Sequence, residues 1–97
     1  METISNKDSI NNNTIYSDIR RYWEELKEKR HDMILIRLNS YYYLFNEDAI
    51  AAAKTLNLHL DYLPHFKDVC SFPSMALYVY LPRLIRGGNR IAICDWK

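Results

Sequence analysis

The stretch MILIRLNSYYYLFNEDAIAAAKTLN, residues 33–57, holds a change of period that decides how the chain folds. Met33 to Leu38 is a short apolar run rich in isoleucine, the pattern of a buried strand. Asn39-Ser40 is a tight turn, and Tyr41 to Phe45 is the returning strand of a hairpin. From Asn46 the period becomes helical. Asn46 is placed to cap, Glu47 and Asp48 lie in the first turn where the helix dipole favours carboxylates, and Ala49, Ala52, Ala53 and Leu56 form one face. Small residues there let a helix lie close to a sheet. Asn57 closes the helix in the left-handed conformation. Side chains alternate along a strand, so Tyr41 and Tyr43 share one face and Tyr42 points to the other.

Upstream, Ser17 is read as the cap of a helix reaching about Arg30. Its apolar stripe is Ile19, Tyr22, Trp23 and Leu26, and its opposite face carries Arg20, Arg21, Glu24, Lys27 and Glu28. Downstream, Leu58 to Leu63 alternates as a half-buried strand with Leu58, Leu60 and Tyr62 on one side. Pro64 to Asp68 reads as a loop and Val69 to Phe72 as a short strand. Ser74 caps a third helix with a stripe at Leu77, Leu81, Leu84 and Ile85. Pro82 lies inside that pattern and is expected to kink it or start a new segment. Gly87-Gly88 ends it, and Arg90 to Asp95 forms the last strand, with Ile91 and Ile93 opposite Ala92 and Cys94. The expected order is α-β-β-α-β-β-α-β: one mixed α/β domain over residues 15–97, its mixed sheet covered by packed helices. Residues 1–14, METISNKDSINNNT, read as a flexible polar tail that cannot offset its own ordering entropy.

Bulk properties narrow the function. The chain has 97 residues, room for one domain, and a domain of this size buries only about 60–65% of its unfolded surface. No apolar run is long enough to span a membrane, and no secretory signal opens the chain, so a cytoplasmic location is expected. Cys70 and Cys94 are expected as reduced, structural thiols. The net charge of +1 gives no bulk attraction for nucleic acid, so any contact with DNA must rest on local charge.

The chemistry of an enzyme is not visible. His31, His59 and His65 show no metal-ligand spacing, and no phosphate-cradling glycine loop occurs. Cys70 with His65 is the one conceivable nucleophile and base. Cys70, however, sits in an apolar strand with no helix N-terminus to lower its pKa, so a structural role is expected. Asp61 beside His59 reads most simply as a solvated edge. No metal site and no cofactor is expected.

The aromatic face admits three readings. Tyr41 and Tyr43, preceded by Arg37, could stack on bases or wedge into a duplex. They could pack under a helix with their hydroxyls at the rim, which composition alone favours. They could also anchor a protein interface. Arg83, Arg86 and Arg90, with Arg20, Arg21, Lys27, Lys29 and Arg30, are candidates for phosphates, although such charges usually form a solvated face.

The order of these segments resembles the N-terminal domain of the MutS family of DNA mismatch-repair proteins, over roughly residues 20–96. The likeness is carried by the charged first helix, the apolar strand ending in Arg37, and the hairpin running into YxLFxEDA at Tyr42, Leu44, Phe45, Glu47, Asp48 and Ala49. The ending GxRxAICD, from Gly88 through Arg90, Ala92, Ile93, Cys94 and Asp95, completes it. The resemblance implies a mismatch-recognition domain of mixed α/β fold. The family's hairpin typically reads GDFYELF, where the phenylalanine inserts beside the mismatched base and the glutamate hydrogen-bonds it.

Laid on this chain, the glycine and aspartate fall at Asn39 and Ser40, the phenylalanine at Tyr41 and the glutamate at Tyr43. Tyr41 keeps the shape of a wedge, whereas Tyr43 lacks the carboxylate. Asp61, Tyr62 and Leu63 stand where the family usually carries basic residues, the following loop is shorter, and Ser74 and Met75 stand where histidines are common. The resemblance therefore implies a DNA-binding module whose mismatch reading is weakened or lost. Its contact residues are expected at Arg37, Asn39, Ser40, Tyr41 and Tyr43, with Arg37 as a phosphate contact or the hairpin's brace. The partner is then double-stranded DNA. The alternative is a protein–protein interaction module using the aromatic hairpin face, whose partner is a protein. The family's clamp, lever and ATPase domains find no room in 97 residues, so no ATP-driven cycle is expected of this chain.

Overall fold

The computed structural model describes residues 2–96, with side chains from Ile15 to Trp96, and the expected tail at 1–14 lies outside the described side chains. The elements follow as α1 (Glu2–Lys29), β1 (Met33–Leu38), β2 (Tyr41–Phe45), α2 (Glu47–Leu56), β3 (Asp61–Leu63), β4 (Phe66–Pro73), a single 3₁₀ turn (Ser74–Ala76), α3 (Leu77–Arg86) and β5 (Ile91–Asp95). The five strands form one mixed sheet in the order β3-β4-β2-β1-β5. Only β1 and β5 run parallel, joined through α2, α3 and the strands between them. The expected order of elements is borne out.

Alternation of side chains divides the core between the two faces of this sheet. Met33, Leu35, Tyr42, Leu44, Cys70 and Phe72 pack with Ala49, Ala52, Ala53 and Leu56 of α2 and Leu84 of α3. Ile34, Ile36, Phe45, Val69 and Ala92 turn the other way and pack with Ile19 and Trp23 of α1. Thus α2 and α3 cover one face and α1 the other. The tyrosines divide as the strand period requires: Tyr42 is buried under α2 and α3, while Tyr43 turns toward α1.

Several boundaries differ from the sequence reading, each for a local reason. Helix α1 begins well before Ser17, which sits inside it instead of capping it. Asn46 occupies the N-cap of α2 but makes no side-chain bond there; its backbone, at φ 56° and ψ −128°, receives the chain from β2. Asn57 does close α2 in the left-handed conformation. The strand expected from Leu58 shrinks to Asp61–Leu63, because the Leu58 N–H donates to the Ala53 carbonyl (2.9 Å) and finishes the helix instead. Tyr62 then points to solvent and Leu63 inward, opposite to expectation.

The expected loop at 64–68 is only the turn Pro64-His65. Proline fixes φ at its first central position, and His65 takes φ 71° at the second. Strand β4 is correspondingly longer, because its start pairs with β3 from Leu63↔Phe66 to Asp61↔Val69 before β2 takes over from Val69 to Pro73. Ser74 opens the 3₁₀ turn without a capping bond, and α3 continues through Pro82 to Arg86 without a break. Its inner face carries Leu77, Tyr80 and Leu84, while Ile85 is exposed.

Candidate nucleic-acid interface

The β1–β2 hairpin occupies the middle of the sheet, and its turn is held from both sides. Asn39 turns the chain with φ 58°. The Arg37 Nε donates to the Asn39 carbonyl at 3.0 Å, and the Trp96 N–H donates to the Arg37 carbonyl at 3.0 Å. On the other side the Ser74 N–H donates to the Ser40 carbonyl at 2.7 Å, beside the Tyr41↔Pro73 pair. Arg37, read as either a phosphate contact or a brace, therefore braces the turn through Nε. Ser40 contributes a backbone carbonyl to it.

Tyr41 is 44% exposed at the hairpin end, while Tyr43 is half-buried. A row of rings runs from the tip into the core. Tyr41 and Tyr43 have centroids 6.4 Å apart, Tyr43 and Phe45 stack at 6.1 Å, and Phe45 stacks on Phe66 at 3.9 Å. Burial pushes the Tyr43 phenol above its usual pKa, and its neighbours Tyr16 and Tyr41 add to the shift. Tyr43 thus faces α1 as well as the tip, and of the two Tyr41 is the more exposed.

Tyr16 and Trp96 escaped the sequence reading. With Tyr43, Asn39, Ile19 and Leu38 they line a cleft between α1 and the hairpin. Tyr16 continues the Ile19–Trp23 stripe one turn toward the N-terminus. The signal was present, but it was cut off by starting the helix at Ser17.

The basic residues do not converge on the tip. Lys27 is bound to Asp48 at 3.0 Å, Arg30 to Asp32 at 2.9 Å, Arg20 to Glu24 at 3.2 Å and Arg21 to Asp18 at 3.5 Å. Arg90 sits at the other end of the sheet, where its carbonyl accepts from the Met33 N–H at 2.7 Å. Met33 is four residues from Arg37, about 13 Å along a strand. Arg83 lies against the Tyr80 ring, 6.0 Å from its centroid. Arg37 is the cation at the hairpin, and Asp95 is its cross-strand neighbour.

Cys70 is fully buried, and burial pushes its thiol up to about 11, which suits the structural role expected of it and not that of a nucleophile. Its supposed base, His65, lies exposed in the β3–β4 turn. Among the described residues no group of three or more His, Cys, Asp or Glu could hold a metal ion, and no helix is long and apolar enough to cross a membrane.

A mixed five-stranded sheet with helices on both faces and a braced aromatic hairpin at its centre defines a small α/β hairpin-presenting domain. The chain belongs to the MutS domain I family, whose profile matches residues 18–97. Its relatives include proteins named DNA mismatch repair protein MutS. The one from Porphyromonas gingivalis is 37% identical over 86 residues, covering 84% of this chain and 10% of that protein. The one from Anaplasma phagocytophilum is 36% identical over 87 residues, covering 89% and 11%. The one from Bacteroides fragilis is 40% identical over 76 residues, covering 73% and 9%. The chain thus spans about a tenth of the length of these relatives.

Proposed function

We propose that this domain binds double-stranded DNA through the hairpin end, with Tyr41 as the wedge and with mismatch discrimination weakened or lost. The observation that carries this reading is the exposed Tyr41 ring at the head of the row Tyr43–Phe45–Phe66. An inserted ring can partly unstack a base step, and a ring backed by others holds its position while doing so. Membership of a mismatch-repair family supports DNA as the partner.

Loss of discrimination is supported by Tyr43. A phenol lacks the charge of a carboxylate and reaches further, and this one is half-buried against the cluster under α1. Arg37 supplies the local positive charge, and Asn39 and Ser40 flank the wedge as turn residues.

Fluorescence anisotropy tests the reading, using a perfect duplex, the same duplex with a G·T mismatch, and a single strand. The wild-type domain is expected to bind both duplexes with similar affinity, losing affinity steeply as salt rises. Tyr41→Ala is expected to weaken duplex binding about tenfold, the scale of one lost aromatic–base contact. Equal affinity of Tyr41→Ala and wild type would remove the wedge. Absence of binding even at low salt would remove DNA as the partner.

A second reading, a protein-interaction module, is favoured by α3 more than by the hairpin. Tyr78, Val79 and Ile85 are exposed there, with Tyr78 at 79%, and Met75 is exposed in the 3₁₀ turn just before it. Tyr78 and Ile85 stand two turns apart on α3 and so lie one above the other on its outward side. Apolar docking on that face would be insensitive to salt, which separates it from DNA binding.

A further inference from the structure

We propose that the cleft between α1 and the hairpin is a binding site for a single nucleobase. The proposal rests on the DNA-binding reading, for the base would be one turned out of the duplex beside Tyr41.

The cleft measures about 310 Å3. That is near the small end of ligand sites, which run from roughly 300 to 1,000 Å3, so it suits one small ring system and not a length of chain. Its walls are the rings of Tyr16, Tyr43 and Trp96, over an aliphatic floor from Ile19 and Leu38. Rings of this kind stack on the π-face of any base. Asn39 lines the same cleft, and an amide can both donate to and accept from the polar edge of a base. A second hollow shares Asn39 and Trp96 with the first and adds Arg37 and Asp95. Arg37 and Asp95 thus line the hollow that adjoins the aromatic cleft at Asn39 and Trp96, and neither lines the cleft itself.

The site is built before any ligand arrives. The Trp96 backbone is tied to the Arg37 carbonyl, and its indole lies against Tyr22 with centroids 5.4 Å apart. The Tyr43 ring is stacked on Phe45. Tyr41 stands 6.4 Å from Tyr43, which sets the wedge next to one wall of the cleft. One wall, Tyr16, lies outside residues 18–97 that match the family profile, and it meets the tyrosine that stands in the place of the family's glutamate.

The experiment uses duplexes carrying a single-base bulge of 2-aminopurine, whose fluorescence falls when the base stacks on an aromatic ring. An identical duplex with an abasic bulge is the control, and free 2-aminopurine riboside is titrated in parallel. Wild-type protein is expected to quench the bulged base and to bind that duplex more tightly than the abasic one. Tyr16→Ala is expected to remove most of the quench and about tenfold of the preference, while Tyr16→Phe keeps both. Duplex binding without quench, or equal affinity for the two bulges, would overturn the cleft and leave the DNA-binding reading intact. Quench of the free riboside that depends on Tyr16, with no binding to any duplex, would overturn the DNA-binding reading and leave the cleft. Neither quench nor duplex binding would overturn both.

Discussion

Lys27 on α1 and Asp48 in the first turn of α2 form an ion pair at 3.0 Å, with their side chains only 18% and 7% exposed. The two helices cover opposite faces of the sheet, so the pair joins them around the end remote from the hairpin. Asp48 also accepts from the Ile34 N–H at 3.1 Å, and Lys27 donates to the Asp32 carbonyl at 2.9 Å. Burial raises the Asp48 pKa, while the bonds from Ile34 and Lys27 pull it back. Breaking such a pair from one side leaves a buried charge without compensation.

Lys27→Met is therefore expected to cost roughly 3–5 kcal/mol at pH 7. The pH dependence follows from the direction of the shift. A raised folded-state pKa means that the folded protein holds the proton more tightly than the unfolded chain, so stability is gained as pH falls. Without Lys27 the shift grows. The deficit is then expected to shrink from pH 7 toward the ordinary aspartate value of 3.8. Urea unfolding followed by tryptophan fluorescence at a series of pH values measures it. A deficit that grew on acidification would contradict this account of the pair.

The thiols offer a second measurement. Cys70 is fully buried with its pKa near 11, whereas Cys94 is half-buried at the α1 side of β5. A thiol-specific disulfide reagent at pH 8 is expected to leave Cys70 untouched in the native domain and to label it on unfolding. Cys94→Ser isolates the Cys70 signal. Rapid native labelling of Cys70 would mean that the sheet opens beneath α2 far more readily than its packing implies.

Trp23 carries a buried indole N–H with no hydrogen-bond partner among the described residues. A buried donor left unpaired costs about 1–3 kcal/mol. Trp23→Phe removes that donor while keeping most of the apolar area, so the change is expected to fall within about 1 kcal/mol of zero. Trp23→Ala, which also empties the space, is expected to cost roughly 3–5 kcal/mol. Equal losses for the two variants in denaturant melts would show that the N–H is satisfied in solution.

At Asn46 the backbone takes φ 56° and ψ −128°, a combination that glycine adopts far more readily than any residue with a Cβ. The Asn46 side chain makes no capping bond to compensate. Asn46→Gly is expected to stabilise the domain by about 1 kcal/mol and Asn46→Ala to destabilise it by a similar amount. A loss with glycine would reveal a side-chain contact made in solution.

The hairpin, α2 and the outer strand β5 were legible because each announces itself in short-range pattern. Six residues from Met33 change to the period of a turn and then of a helix, and Asn57 marks the stop. The segment 58–66 was misread because alternation at Leu58, Leu60 and Tyr62 resembles a strand. The Ala53–Leu58 bond that prevents one depends on how the helix ends, not on the pattern of side chains. The places of Arg37 and Tyr41 on the hairpin of the candidate site were legible, because they follow from hairpin register. The site's other wall was not, because Tyr16 and Trp96 meet Tyr43 only after α1 has crossed the sheet. The pairing of Lys27 with Asp48 is likewise long-range, and nothing in the charge pattern of α1 distinguishes Lys27 from its solvated neighbours.

The hairpin is also anchored on both flanks: Ser74 holds the Ser40 carbonyl and Trp96 holds the Arg37 carbonyl. A tip fixed in this way behaves as an anvil and not as a finger, and it has little freedom to adjust to whatever it touches. On the DNA-binding reading, the yielding must come from the double helix. Preference among sites would then follow the pliancy of the nucleic acid, with easily kinked pyrimidine–purine steps favoured over stiff A-tracts, even where no base edge is contacted.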